Sequence, residues 1–156
     1  MKYVPSGGFN VLSVHEVEAV ARAANREASA ALYRAAAYTG LRLGELRALR
    51  WRDVDFVNAT LHVRRDLPVG ATKEKVPKGK RVRSLPLFDQ AARELDGLSR
   101  RNYLTRPDDL VFPGDSGGHL DYETTKDAVY DALAAAGLGY LGVAQVVERE
   151  RLLLPA

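Results

Sequence analysis

An arginine and a glutamate stand three positions apart in the segment TGLRLGELRAL, directly after a glycine that should end a helix. We expect the next helix to begin near Leu41, so that Arg42 shares a stripe with Leu46 and Leu49. Glu45 lies beside that stripe. Because the leucines must face the core, we expect the guanidinium at the core's edge, where a charge is costly unless it is paired or meets a ligand. The carboxylate can hold one side of the guanidinium fork while the other donors bind an anion such as phosphate.

The same spacing also has an ordinary explanation. Arginine and glutamate three residues apart on a helix commonly form a surface ion pair worth a few tenths of a kcal/mol. On spacing alone this ion pair is the better interpretation, so further residues must decide.

A second concentration of charge lies between Arg64 and Arg83. Eight basic residues stand there against two acidic ones, a net charge of +6, whereas the whole chain carries +3. A focused positive patch of this size attracts phosphate. Its basic members are Arg64, Arg65, Lys73, Lys75, Lys78, Lys80, Arg81 and Arg83.

Composition narrows the remaining function classes. None of the 156 residues is cysteine, which excludes disulfides and thiolate metal sites, and no metal or cofactor is predicted. No apolar run approaches the roughly 18 residues of a membrane span, so no membrane partner is expected. The N-terminus lacks the apolar core of a secretory signal, and a cytoplasmic location is the default expectation.

The elements that must position the charged residues follow one another as three helices, a small antiparallel sheet and two further helices. Ser13 and Glu16 have capping-box spacing at the first helix, whose predicted apolar stripe includes Val14. Gly40 should end the second helix. This order predicts a mainly helical α+β domain. The third helix is expected over LRLGELRALRWRD, the strands in VDFVNATLHVRR and KRVRSLPL, and a mobile hairpin loop over DLPVGATKEKVPKG.

Several segments resemble one known family, the tyrosine recombinases or phage-type integrases. TGLRLGEL closely resembles the family's first conserved box, and RALRWRDVDF continues it in frame. ATKEKVPKGKRVRSLPL is similar to the family's β-hairpin, LVFPGDSGGHL to the loop before the next helix, and LSVHEVEAV to the first helix of the catalytic domain. The resemblance covers residues 9–139. Because the matches occur in the family's order, a plain ion pair between Arg42 and Glu45 becomes the weaker interpretation.

In that family the catalytic domain cuts one DNA strand with a tyrosine, forms a 3′-phosphotyrosyl link and rejoins the strand to another. The resemblance implies that Arg42 binds the scissile phosphate and its transition-state charge, with Glu45 in support. It implies that Lys73 is the general acid that protonates the leaving 5′-oxygen. The other predicted contacts to the backbone of double-stranded DNA are Lys75, Lys78, Lys80, Arg81 and Arg83.

The family also requires a second box, His-x-x-Arg, a later histidine or tryptophan, and the nucleophilic tyrosine. The segment YLGVAQVVERERLLLPA contains no histidine, and Tyr140 comes too early to be the nucleophile. His62 and Arg65 have the spacing of the box but precede the hairpin, which is the wrong order. We therefore expect a partial recombinase catalytic domain over residues 1–139, incomplete at its C-terminus, and an unmatched tail over residues 140–156.

Three functional hypotheses follow from these observations. The first is a DNA-binding fragment of a tyrosine-type site-specific recombinase that cannot complete strand transfer alone. The second is a non-catalytic DNA-binding or regulatory protein on the same scaffold. The third is a helical interaction protein whose basic loop is merely solvated. Because family members work as tetramers on paired DNA, self-association on DNA is a further expectation under the first.

Overall fold

The computed structural model describes residues 12–76 and 82–138. Within them the chain forms helices around one small sheet, so the predicted mainly helical α+β fold is confirmed. None of the described helices is long and apolar enough to cross a membrane. The helices are α1 (Val14–Arg22), α2 (Glu27–Thr39), α3 (Leu43–Arg47), α4 (Asp89–Ser99) and α5 (Tyr122–Ala135), with a 3₁₀ helix at Trp51–Asp53, and the strands are β1 (Val54–Asp55), β2 (Thr60–Val63) and β3 (Arg83–Pro86).

Helix α1 begins at the predicted capping box. The Ser13 amide donates to Glu16 Oε2 at 2.7 Å, and the Glu16 amide donates to Ser13 Oγ at 3.2 Å. Val17 and Val20 are buried, but Val14 is 55% exposed. The predicted apolar stripe is therefore wrong in its first member, because a helix end has neighbours on fewer sides than the middle of the helix.

Helix α2 is the centre of the helical layer and packs against both α1 and α4. Its alanines permit this close approach, and Ala35 is fully buried. The helix ends at Gly40 as predicted. The glycine adopts a left-handed conformation with φ of 67°, and its amide donates to the carbonyl of Ala36 at 3.1 Å.

Replacing Gly40 with alanine is expected to lower the free energy of unfolding by about 1 kcal/mol, because a Cβ is strained at positive φ. Gly97, inside α4, offers a matched control, since an added Cβ meets no atom within 4 Å there. Gly97→Ala should raise stability by about 0.5–1 kcal/mol. Urea unfolding of both variants measures the two changes, and effects of the same sign would contradict the assigned helix end.

The third helix is shorter than predicted. Instead of running on to Asp53, α3 ends at Arg47, although Leu46 and Leu49 are buried as expected. Backbone groups beyond the helix pair with residues 107–111 of a distant loop. The Val111 amide donates to the Leu49 carbonyl at 2.9 Å, and the Arg52 amide donates to the Pro107 carbonyl at 2.9 Å. These tertiary hydrogen bonds replace the bonds that would continue the helix.

The sheet is antiparallel with the order β1-β2-β3. Leu61, fully buried on β2, lies opposite Leu85, and Val63 lies opposite Arg83. A short turn joins β1 to β2, where the Asn58 amide donates to the Asp55 carboxylate at 2.9 Å. Both strand predictions are thus confirmed in position, and the register carries Arg83 toward α3.

The connection between β2 and β3 contains the basic segment. We call residues 66–76 of this connection the arm. Asp66 and Lys75 form an antiparallel backbone pair, in which each amide donates to the other residue's carbonyl at 2.7 Å. The base of the arm is therefore closed like a hairpin. Lys78, Lys80, Arg81 and the tail over residues 140–156 lie outside the described residues.

Candidate functional site

Arg42 is the residue just before the first turn of α3. Its backbone is extended, with φ of −69° and ψ of 153°, and its side chain is exposed. Within the described part of the chain its guanidinium has no hydrogen bond or ion pair. The expectation of a side chain at the core's edge, half held by Glu45, is therefore wrong. Glu45 instead accepts a hydrogen bond from the Arg42 backbone amide at 2.9 Å.

Glu45 is buried, with 2% of its surface exposed, and its partner is Arg83. Arg83 donates from Nη1 to Oε1 at 2.7 Å and from Nη2 to Oε2 at 2.9 Å, which is a bidentate pair between α3 and β3. Such planar pairs are the strongest form of arginine–carboxylate contact. Because Arg83 neutralises this carboxylate, the charge of Arg42 remains uncompensated by its own helix.

Asp66, at the base of the arm, lies against the start of α3. A Cβ on Gly44 would stand 2.1 Å from Asp66 Oδ1, so only glycine permits this approach. Burial raises the pKa of Asp66, the neighbouring Glu45 raises it further, and nearby arginines, Arg42 among them, oppose the shift. Arg42 and the base of the arm therefore belong to one electrostatic site.

The two described lysines of the arm are both exposed. Neither Lys73 nor Lys75 has a side-chain partner among the described residues, whereas Glu74 between them is half-buried. The predicted general acid and its neighbour thus present free ammonium groups. Of the predicted cationic site residues within the described ranges, Arg42, Lys73 and Lys75 keep unpaired charges, and Arg83 does not.

Glu74 ties the arm to the body of the domain. Its Oε1 accepts from Arg50 Nη2 at 2.7 Å and lies 2.7 Å from His119 Nε2. Its Oε2 lies 3.5 Å from Arg65 Nε. Sequence reasoning counted Glu74 only as an acid within a basic segment. The only hint of this attachment in the sequence was the position of Glu74 between two lysines.

Asp53 holds the arginines that precede the arm. It is 2% exposed and accepts from the Arg50 amide at 3.0 Å and from Arg65 Nη2 at 2.6 Å. Arg64 Nε lies 3.3 Å from its other oxygen. Ion pairs with Asp53 therefore neutralise part of the +6 charge counted in this segment. The sequence does not show these pairs.

Arg47 is a buried arginine that sequence reasoning missed. It donates from Nε to the Leu120 carbonyl at 2.7 Å and from Nη1 to the Leu67 carbonyl at 2.9 Å. Its guanidinium carbon lies 5.8 Å from the centroid of the Tyr122 ring. Burial lowers the pKa of Arg47. This side chain joins α3, the arm and the start of α5, so it shapes the site without facing it.

Comparison with known proteins decides the family. Residues 10–144 match the model of the phage integrase family. The chain belongs to the phage integrase family. This confirms the family resemblance that the sequence indicates. No curated protein matches significantly.

Solved structures of tyrosine recombinases share the fold. A crystal structure of XerA recombinase matches 95% of this chain and 49% of its own, with 25% identity and a TM-score of 0.69. The Tn1549 transposon integrase, solved with circular intermediate DNA, matches 95% of this chain and 53% of its own, with 16% identity and a TM-score of 0.71. A Tyr-to-Phe variant of that integrase, solved with transposon right end DNA, has 16% identity and a TM-score of 0.71. It matches 95% of this chain and 52% of its own. The chain thus spans about half the length of these phage-integrase-like structures.

Proposed function

We propose that this chain supplies the phosphate-binding part of a tyrosine-recombinase active site on double-stranded DNA. Arg42 binds the scissile phosphate, and Lys73 donates a proton to the leaving 5′-oxygen. One observation carries the proposal: the Arg42 guanidinium is exposed and unpaired among the described residues, although a carboxylate lies three positions away.

The reason lies in how that carboxylate is saturated. Glu45 accepts two hydrogen bonds from Arg83 and one from the Arg42 amide. An ordinary helix pair would have partly neutralised Arg42 and occupied some of its donors. With Glu45 saturated, the planar fork of Arg42 keeps its donors for a bidentate contact with phosphate oxygens.

The chemistry of strand cleavage requires both cations. When a deprotonated tyrosine oxygen attacks phosphorus, the new P–O bond forms as the bond to O5′ breaks, and negative charge builds on the phosphoryl oxygens. Arg42 stabilises that charge. Lys73 transfers its proton from Nζ to O5′, so that the leaving group departs as a neutral hydroxyl. The arm suits this role because its lysine is exposed beside an anchored backbone.

DNA as the partner is supported by charge and by relatives. Unpaired Arg42, Lys73 and Lys75 present three cations, and the related Tn1549 integrase was solved with DNA. Because these 156 residues contain no His-x-x-Arg box after the arm, we expect a polypeptide of this sequence to bind DNA without forming a covalent link.

Binding to a duplex measured by fluorescence anisotropy over a salt series tests the proposal. Each lost phosphate contact should reduce the slope of log K against log salt by about 0.9 in magnitude. Arg42→Ala and Lys73→Ala should each show this reduction. Arg93→Ala is the control, since Arg93 is an exposed arginine on α4 outside the site. Equal slopes for the parent and Arg42→Ala would overturn the assignment.

A nicked suicide duplex tests the expected lack of covalent chemistry. We expect no denaturant-resistant protein–DNA adduct from the 156-residue chain. An adduct that disappears after a tyrosine-to-phenylalanine substitution would show that a nucleophile is present after all. A strong preference for one short DNA sequence, together with repression of transcription, would favour the regulatory alternative.

A further inference from the structure

We propose that Glu74 is a positioning residue that aims Lys73 by anchoring the arm to the body of the domain. This inference rests on the proposed role of Lys73. It concerns a carboxylate that contacts residues of the domain body and acts through its neighbour in the chain.

Three separate segments converge on the Glu74 carboxylate. Arg50, which precedes the 3₁₀ helix, and His119, in the loop before α5, both lie 2.7 Å from Oε1. Arg65, after β2, lies 3.5 Å from Oε2. The Glu74 side chain is only 17% exposed. A carboxylate held by partly buried arginines is attached more firmly than one in a surface ion pair.

The partners of Glu74 are themselves fixed. Arg50 donates from Nη1 to the Asp108 carbonyl at 2.6 Å, and Arg65 donates from Nη2 to buried Asp53 at 2.6 Å. His119 pairs through its backbone with Pro113. The Glu74 carboxylate therefore contacts three residues that the rest of the domain holds in place.

Docking at Glu74 determines which side of the arm faces outward. Glu74 is half-buried, whereas Lys73 and Lys75 on either side of it are exposed. The backbone pair of Lys75 with Asp66 fixes the next position along the chain. With the Glu74 carboxylate held by Arg50 and His119, the ammonium group of Lys73 is left exposed to solvent.

The charge of Glu74 and its proposed positioning role predict opposite effects of Glu74→Gln on DNA binding. On charge alone, removing an acid from between two lysines should strengthen DNA binding. If Glu74 positions Lys73, the substitution should instead abolish the contribution of Lys73. Glu123→Gln is the charge-matched control, because Glu123 is a 63% exposed acid on α5.

A double-mutant cycle separates the two forecasts. In the parent chain, Lys73→Ala should lower the salt slope of duplex binding by about 0.9 in magnitude. In the Glu74→Gln background it should cause no further change, whereas in the Glu123→Gln background it should keep its full effect. Full and additive effects of Lys73→Ala in both backgrounds would overturn the positioning role.

Hydrogen exchange tests the anchoring without DNA. The Asp66 and Lys75 amides form the backbone pair at the base of the arm, and Glu74→Gln should speed their exchange about tenfold. His119→Ala should do the same, and His119→Gln, which can still donate to Glu74, should restore slow exchange. Unchanged exchange in Glu74→Gln would overturn the inference even if Lys73 binds DNA. Changed exchange with no effect of Lys73→Ala on binding would instead count against the proposed function.

Discussion

Replacing Glu45 with glutamine is expected to lower the free energy of unfolding by about 2–4 kcal/mol. The carboxylate accepts three hydrogen bonds, two from Arg83 and one from the Arg42 amide, and it is almost fully buried. Glutamine has nearly the same volume, so no cavity forms. One of its two polar atoms is an amide nitrogen, however, and this donor would face another donor of Arg83 or Arg42.

The loss of stability in Glu45→Gln is limited by the hydration of Arg83. The Arg83 side chain is 33% exposed and can recover some hydration when Glu45 is neutralised. Urea unfolding, with an unchanged dependence on denaturant, measures the loss. Asp115→Asn is the control, since Asp115 pairs with Arg26 at 2.6 Å but both side chains are largely exposed. That variant should change stability by less than about 0.5 kcal/mol. Equal effects at the two positions would show that Glu45 is not a structural anchor.

Replacing Arg47 with methionine is expected to cost about 2–4 kcal/mol of stability. The methionine fills most of the arginine's space, but the carbonyls of Leu67 and Leu120 lose their donors in a buried setting. Arg47→Lys should cost nearly as much. A single ammonium lacks the planar fork that reaches two carbonyls from different segments while stacking on Tyr122.

Arg93 provides the matched control for this prediction, because it is an exposed arginine in the middle of α4. Arg93→Met and Arg93→Lys should each change the free energy of unfolding by less than about 0.5 kcal/mol. Urea unfolding of the four variants measures the comparison. If Arg47→Lys retained full stability, the two carbonyl contacts would not need the guanidinium.

Local features of the fold were predictable because a few adjacent residues control them. The capping box of Ser13 and Glu16 and the helix end at Gly40 each depend on side chains or dihedral angles within one turn. The strands predicted in VDFVNATLHVRR are equally local. For such features the sequence carries nearly all the information that the structure uses.

The third helix was predicted too long because propensity and apolar spacing continue past its true end. At Leu49 and Arg52 the backbone finds partners in the loop at residues 107–111, more than fifty positions away in the chain. Those hydrogen bonds satisfy the same groups that a helix would satisfy. The choice between them depends on packing, which local propensity does not describe.

The sequence by itself determined the family of this chain, through segments that resemble the first box and the hairpin of the phage integrases. Only the tertiary structure decided which charges pair. Glu45 takes Arg83, 38 positions away, and leaves the adjacent Arg42 unpaired among the described residues. Spacing along a helix shows which side chains can meet, but a buried carboxylate binds the donor whose geometry is best, and that donor is brought there by strand register.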